Sequence, residues 1–409
     1  MLTPNQPGQP PKPSYLTFKA FLILLFVGFS VGSVITIVSL RASPNPTYLS
    51  PISALTHILG TTSRQTDKII YGFLPYWQFK SADTLSYDLL THLALFGIDV
   101  GQDGNFITRE LNYTEPGWAA LHSDTFAAIK IKAKSSGTKL ILTLRAFDAD
   151  NIDTLLSNSS AQDLLITNTL DYLETEGLDG INLDFEYVAE ANDTTRAAFT
   201  QFVSRFTQAL KAKNPAYHVS LDVFADAGDN HRIWQINELT QIVDHLIIMA
   251  YDYHRPSSPL AGPVAPLYGA GQFWDEDITS ALSIFVSHSP PYKFLLGIPF
   301  YGYEWRTTSS QELSQTYPKS GSLATYHRVK QFLENHPETI VNWNLYSLSP
   351  WFSYQEDDQT WQIYYEDTRS LGIKYDLANQ AGLGGIAIWA LGYDAGSPEL
   401  WEQIHQKFY

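Results

Sequence analysis

The sequence predicts an α/β protein whose body is a (β/α)8 TIM barrel, and three observations carry that prediction. Eight apolar, β-rich runs recur at residues 69–76, 90–100, 139–147, 180–188, 218–224, 243–251, 293–300 and 384–391. Amphipathic stretches with helical spacing separate most of them, 166–176 and 195–213 being the clearest. Strands read as near-continuous apolar runs when both faces of a sheet are covered, and alternation with helices means parallel connections. Finally, no GxGxxG follows the first run, which removes the main cue for an open dinucleotide-binding sheet. Eight such strands fit a closed barrel better than a doubly wound sheet.

The chain reaches that barrel through an unlike N-terminal part. Residues 1–19 begin rich in Pro, Gln and Gly and read as a disordered cytoplasmic tail. Residues 20–40 carry no charge and are long enough to span a bilayer as a helix, so the barrel is preceded by an expected transmembrane signal anchor. Lys12 and Lys19 precede the segment and Arg41 follows it, which places the N-terminus inside and the remainder outside the cell. A cleaved signal peptide, giving a secreted protein, is the rival. Arg41-Ala42-Ser43 is a poor cleavage site for it, and signal-peptide apolar regions are usually shorter. Residues 41–67 mix Pro, Ser and Thr and read as a linker, leaving 68–409 as the folded domain. The gap between the seventh and eighth runs is too long for one helix. Its segment 306–367 is expected to be a small α+β insertion walling one side of a cleft.

Composition narrows the chemistry. A formal charge of −16 argues against nucleic acid, which needs basic patches. With no cysteine, thiolate metal sites, disulfides and Cys nucleophiles are excluded. No His–Glu helix spacing or calcium-loop pattern accompanies the carboxylates, so neither a metal nor another cofactor is expected. Ten Trp and 24 Tyr suit a sugar-binding cleft, although most aromatic side chains fill cores. The composition leaves the oligomeric state open.

The fourth run concentrates the acids: Asp179-Gly180-Ile181-Asn182-Leu183-Asp184-Phe185-Glu186. Side chains alternate across a strand, so Asn182, Asp184 and Glu186 share one face and Ile181, Leu183 and Phe185 the other. Crowded carboxylates repel and are costly to bury, which points to use rather than stability. Barrel enzymes gather their chemistry where strands end. Here those ends carry Tyr76 and Trp77 after the first strand and Asp222 on the fifth. Met249, Tyr251 and Asp252 end the sixth, Tyr301 follows the seventh, and Trp389 closes the eighth. His254, followed by Arg255 and Pro256 in the loop beyond Asp252, reads as an ordinary loop residue.

From about Ile69 to the C-terminus these ordered motifs resemble the family 18 glycoside hydrolases, which include chitinases and related N-acetylglucosaminidases. The resemblance implies retaining, substrate-assisted cleavage of β-1,4-linked N-acetylglucosamine polysaccharide of peptidoglycan or chitin type. Glu186 is then the general acid and base. Asp184 orients the substrate's acetamido N–H, and Asp179 is an outer acid hydrogen-bonded toward Asp184. A structural reading of Asp179, a turn residue at the strand entry, stands beside that role. Tyr251 aligns the acetamido carbonyl, Asp252 and Met249 contact substrate, and Trp389 forms the floor beneath the sugar. Asn182, Tyr76, Trp77, Asp222 and Tyr301 are further candidate subsite residues.

The chain departs from the family in two places. Asn182 stands where many chitinases have a third acid, and the third strand ends Thr143-Leu144-Arg145-Ala146 in place of Ser-x-Gly-Gly. Both features resemble the bacterial branch acting on peptidoglycan or spore-cortex fragments. Two other readings stay open: a non-catalytic chitinase-like carbohydrate-binding protein, which would typically lack Glu186, and an endo-β-N-acetylglucosaminidase acting on glycoproteins.

Overall fold

The structure, a computed structural model, describes residues 66–409. The predicted tail, the membrane span and nearly all of the linker lie outside the described residues. Among the described residues no helix is long and apolar enough to cross a membrane.

Eight parallel strands close into a barrel: β1 (Ile69–Pro75), β2 (His92–Asp99), β3 (Lys139–Ala146), β4 (Gly180–Phe185), β5 (His218–Phe224), β6 (His245–Met249), β7 (Phe294–Pro299) and β8 (Gly385–Trp389). Each pairs with its neighbour in this order, and β8 pairs with β1, Ile69 opposite Gly385, to close the ring. Each of the eight apolar runs holds one barrel strand.

Alternation along the strands divides the apolar side chains into two populations. Tyr71, Phe73, Ala94, Phe96, Ile141, Ile247, Leu295 and Ala387 form one buried cluster inside the ring. Ile70, Leu74, Leu93, Leu95, Leu142, Leu144, Ile181 and Leu183 belong to the larger core beneath the helices. Each such side chain contributes about 1.5–3 kcal/mol relative to exposure.

The helix Asp193–Lys213 shows how that cover is built. Asn192 caps it by accepting the Thr195 N–H, and its buried Phe199, Phe202, Val203, Phe206 and Leu210 recur at helical spacing. Phe202 stacks 5.9 Å from Phe185 of β4, so the outer face of the acidic strand is fixed by aromatic packing.

Between β7 and β8 the chain forms a five-stranded antiparallel sheet in the order Ser322–Thr325, Tyr301–Thr307, Gln359–Tyr364, Ser349–Glu356, Asn342–Asn344. The helix Tyr326–Asn335 belongs to the same segment, with Ala324, Val329, Phe352, Ile363 and Tyr365 forming a small core of their own. The sheet begins at Tyr301, earlier than residue 306, because Tyr301, Tyr303 and Trp305 already alternate as a strand directly after β7.

At the opposite, N-terminal end of the strands three imidazoles meet. His92 lies 4.5 Å from His218, and His218 stacks 5.3 Å from His245. His92 Nε2, His218 Nε2 and His245 Nδ1 are buried without partners. Burial, reinforced by neighbouring imidazoles and by Lys139, drives the His92 pKa down to about 2. Burial likewise lowers His245 to about 4 and holds His218 well below its ordinary value. The floor of the barrel is a set of neutral histidines.

Candidate active site

β4 delivers its polar face into the C-terminal mouth of the barrel. Asn182 and Asp184 are 0% and 3% exposed, while Glu186, one residue past the strand end, is half-buried. The Glu186 N–H still donates to Ala146 O at 2.9 Å, so the extended conformation and the shared face persist through that residue.

Asp184 and Asp222, from adjacent strands, lie within hydrogen-bond reach of each other. Asn182 Nδ2 donates to Asp222 Oδ1 at 3.0 Å and to Ser220 Oγ at 3.2 Å, and Ser220 Oγ meets the Tyr71 hydroxyl at 3.2 Å. Burial raises the Asp184 pKa well above the usual carboxylate range, Asp222 and Glu186 add to it, and Arg145 opposes them. Asp222 is raised well above that range too, by burial first. Two buried carboxyls in contact resist double ionisation, so the pair retains a proton. One oxygen of Asp184, Oδ1, and Oδ1 of Asn182 are buried without partners. Unpaired polar atoms of this kind are rare in folded proteins.

Glu186 has its pKa raised, chiefly by burial, with Arg255 pulling it down and Asp252 pushing it up. A protonated carboxyl at the mouth can give its proton to a leaving oxygen and take one back from water. Tyr251 stands among the acids: burial raises its pKa, followed by Asp222, Asp184, Asp252 and Glu186 in that order. Asp252 has a φ of 62° and accepts from the hydroxyls of Tyr301 at 2.5 Å and Tyr303 at 2.8 Å. Those two bonds hold a non-glycine residue in the left-handed region. Trp389, half-buried at the end of β8, packs against Phe96 at 4.7 Å, Phe73 at 5.8 Å and Trp77 at 6.4 Å. Tyr76 is half-buried and Trp77 is 41% exposed on the same rim, and Met249 is half-buried at the end of β6.

Asp179 does not join them. Five residues of strand, roughly 16 Å at about 3.3 Å each, separate it from Asp184. Asp179 is exposed at the floor end, where its carboxylate accepts the Leu140 N–H at 2.8 Å. The outer-acid role is therefore corrected to that of a strand-entry anchor. Asn182, Asp222 and Tyr301 sit deeper than the rim. At 0%, 3% and 2% exposure they are buried, Asn182 bonded to Asp222 and Tyr301 to Asp252. Arg145, the unusual rim residue, is clamped to Asp99 by bonds of 2.6 and 2.8 Å, with Glu115 at 3.7 Å. Its guanidinium is held by those acids, and its charge also acts on Asp184, its register partner on β4.

Two residues outside the sequence motifs enter the site. Tyr303 supplies the second bond to Asp252, and its period-two spacing from Tyr301 was the available signal. Arg255 is the cation that acts on Glu186, and its Nε donates to Asp252 O at 3.1 Å. Among the described residues Arg255 forms no salt bridge, and nothing in the sequence distinguishes it from other loop arginines. Metal-ligand groups of three or more His, Asp or Glu are absent among the described residues.

The family described as "Glycosyl hydrolases family 18" matches residues 48–394. A putative sporulation-specific glycosylase of Bacillus subtilis is 26% identical over 61% of the chain, which spans 56% of that relative's length. A cortical fragment-lytic enzyme of Bacillus anthracis is 24% identical over 78% of the chain and 68% of the relative. A class V chitinase mutant of Nicotiana tobaccum, solved in complex with NAG4, superposes with a TM-score of 0.71. It is 18% identical, and the match covers 83% of this chain and 99% of that one.

Proposed function

The chain belongs to the family 18 glycosyl hydrolases and is a glycosidase, and from that premise we propose that it cleaves β-1,4-linked N-acetylglucosamine-containing polysaccharide with retention. The observation that carries the proposal is the meeting of Asp184, Glu186, Tyr251, Asp252 and Trp389 at one barrel mouth, with Glu186 raised in pKa by burial. In this reading Glu186 protonates the glycosidic oxygen. The substrate's acetamido oxygen attacks the anomeric carbon while Tyr251 aligns it, and Asp184 stabilises the positive charge that develops on the acetamido nitrogen. Glu186, now a carboxylate, then takes a proton from the water that opens the intermediate. Trp389, braced by Phe96, offers its face to the sugar.

A peptidoglycan-type polymer is favoured over chitin. Asn182 in the acidic motif and the likeness to a cortical fragment-lytic enzyme support it. The charge-free segment 20–40 supports an anchored, outward-facing enzyme.

The test offers the full chain, in detergent, purified peptidoglycan and chitooligosaccharides, with products identified by mass. Wild type is expected to release GlcNAc-terminated fragments, and Glu186→Gln to release none while still binding oligosaccharide. A Glu186→Gln variant that turns over at the wild-type rate would overturn the assignment.

A further inference from the structure

Asn182 leaves a gap in the acid chain of β4, and the structure fills it from the neighbouring strand. An amide cannot hold a titratable proton for Asp184. Asp222 of β5, 3% exposed, sits against Asp184 and takes the Asn182 Nδ2–H on Oδ1 at 3.0 Å. Ser220, two residues back on the same face of β5, bonds both the Asn182 amide and the Tyr71 hydroxyl. The network Tyr71–Ser220–Asn182–Asp222–Asp184 therefore has an amide where β4 would carry an acid, and an acid one strand over.

We propose that Asp222 is the positioning residue that holds the proton given up by Asp184 when substrate binds, an acid moved from β4 to β5. This rests on the glycosidase mechanism above and assigns a role that mechanism leaves unfilled. With the cleft empty, one proton bridges the two carboxyls. When an N-acetylglucosamine unit enters, the proton goes to Asp222, and Asp184 turns as a carboxylate to the acetamido N–H. No proton is gained or lost, and a single negative charge remains on the pair. The Asn182 amide keeps Asp222 in place throughout, since a donor suits a carboxyl oxygen in either protonation state. Burial makes the arrangement necessary. Without a proton on Asp222, an ionised Asp184 would face a second buried negative charge.

The experiment moves the acid back. Asp222→Asn is expected to lower kcat on chitotetraose about 10–100-fold, the scale of a proton-handling group, with KM and thermal midpoint little changed. The exchange variant Asn182→Asp/Asp222→Asn keeps the same side-chain inventory and is expected to recover kcat to within about fivefold of wild type. A purely structural Asp222 would not be rescued this way. Wild-type kcat in Asp222→Asn overturns the inference, as does a folded exchange variant as slow as the single one. If Asp222→Asn does not fold, the exchange variant alone decides by the same criterion. Glu186→Gln runs alongside: if it is inactive while Asp222→Asn is unimpaired, only this inference fails, and if it is active, the mechanism fails with it.

Discussion

Replacing His92 with Gln should make the protein less sensitive to acid, although it costs stability at neutral pH. His92 is 5% exposed, stacks 5.6 Å from Tyr71, and bonds Thr91 Oγ1 through Nδ1 at 2.9 Å. Its pKa is about 2 in the fold, against 6.5 when unfolded. Below pH 6.5 the unfolded chain therefore binds a proton at this position that the native state refuses. Stability falls with falling pH, by about 1.4 kcal/mol per pH unit, until the folded value is reached. Between pH 6.5 and pH 5 the loss from His92 alone comes to about 2 kcal/mol. Gln does not titrate. Its loss of packing should cost about 1–3 kcal/mol at pH 8. By pH 5 the gap between wild type and His92→Gln should have narrowed by about 2 kcal/mol. The raised carboxyls of the site titrate in both proteins and cancel in the difference. Urea unfolding followed by tryptophan fluorescence at pH 8, 6.5, 5.5 and 5 measures it. A gap that stays constant across that range refutes the claim that a buried neutral imidazole sits at the floor. For His245, lowered to about 4, the same slope should flatten near pH 4.

Other expectations concern the cleft and the scaffold. Asp184→Asn should cut kcat by about 10²–10⁴-fold, as for other positioned electrostatic groups, and unchanged kinetics would remove it from the mechanism. Arg255→Gln removes the cation that lowers the Glu186 pKa, so the alkaline limb of kcat/KM should move to higher pH. A limb that stays put or moves down would show that Arg255 does not act on the acid. Lys374 and Glu366 form a 2.7 Å pair with side chains 1% and 0% exposed. Lys374→Met should strand the carboxylate and cost about 3–5 kcal/mol, read as a fall in thermal midpoint.

Much of the fold was legible because burial on both faces writes itself into sequence. Each barrel strand fell in an apolar run, since a parallel strand under helices has little room for polar residues. The alternation in β4 likewise places Asn182, Asp184 and Glu186 on one face. Periodicity gives a face but not an end. Asp179 shares the motif with Asp184 yet belongs to the floor, because strand rise carries the chain the height of the barrel between them.

What the sequence determined by itself was local: eight strands, the acidic face of β4, the absence of cysteine and a net charge of −16. What only the tertiary structure decided was which groups from distant segments come together in one buried site. Asp222 lies 38 positions from Asp184 in the chain and Arg255 lies beyond the strand ends. No period in the sequence links them, because a closed barrel sets lateral neighbours by strand register and burial then makes their charges interact strongly. The same register gathers His92, His218 and His245 at the floor.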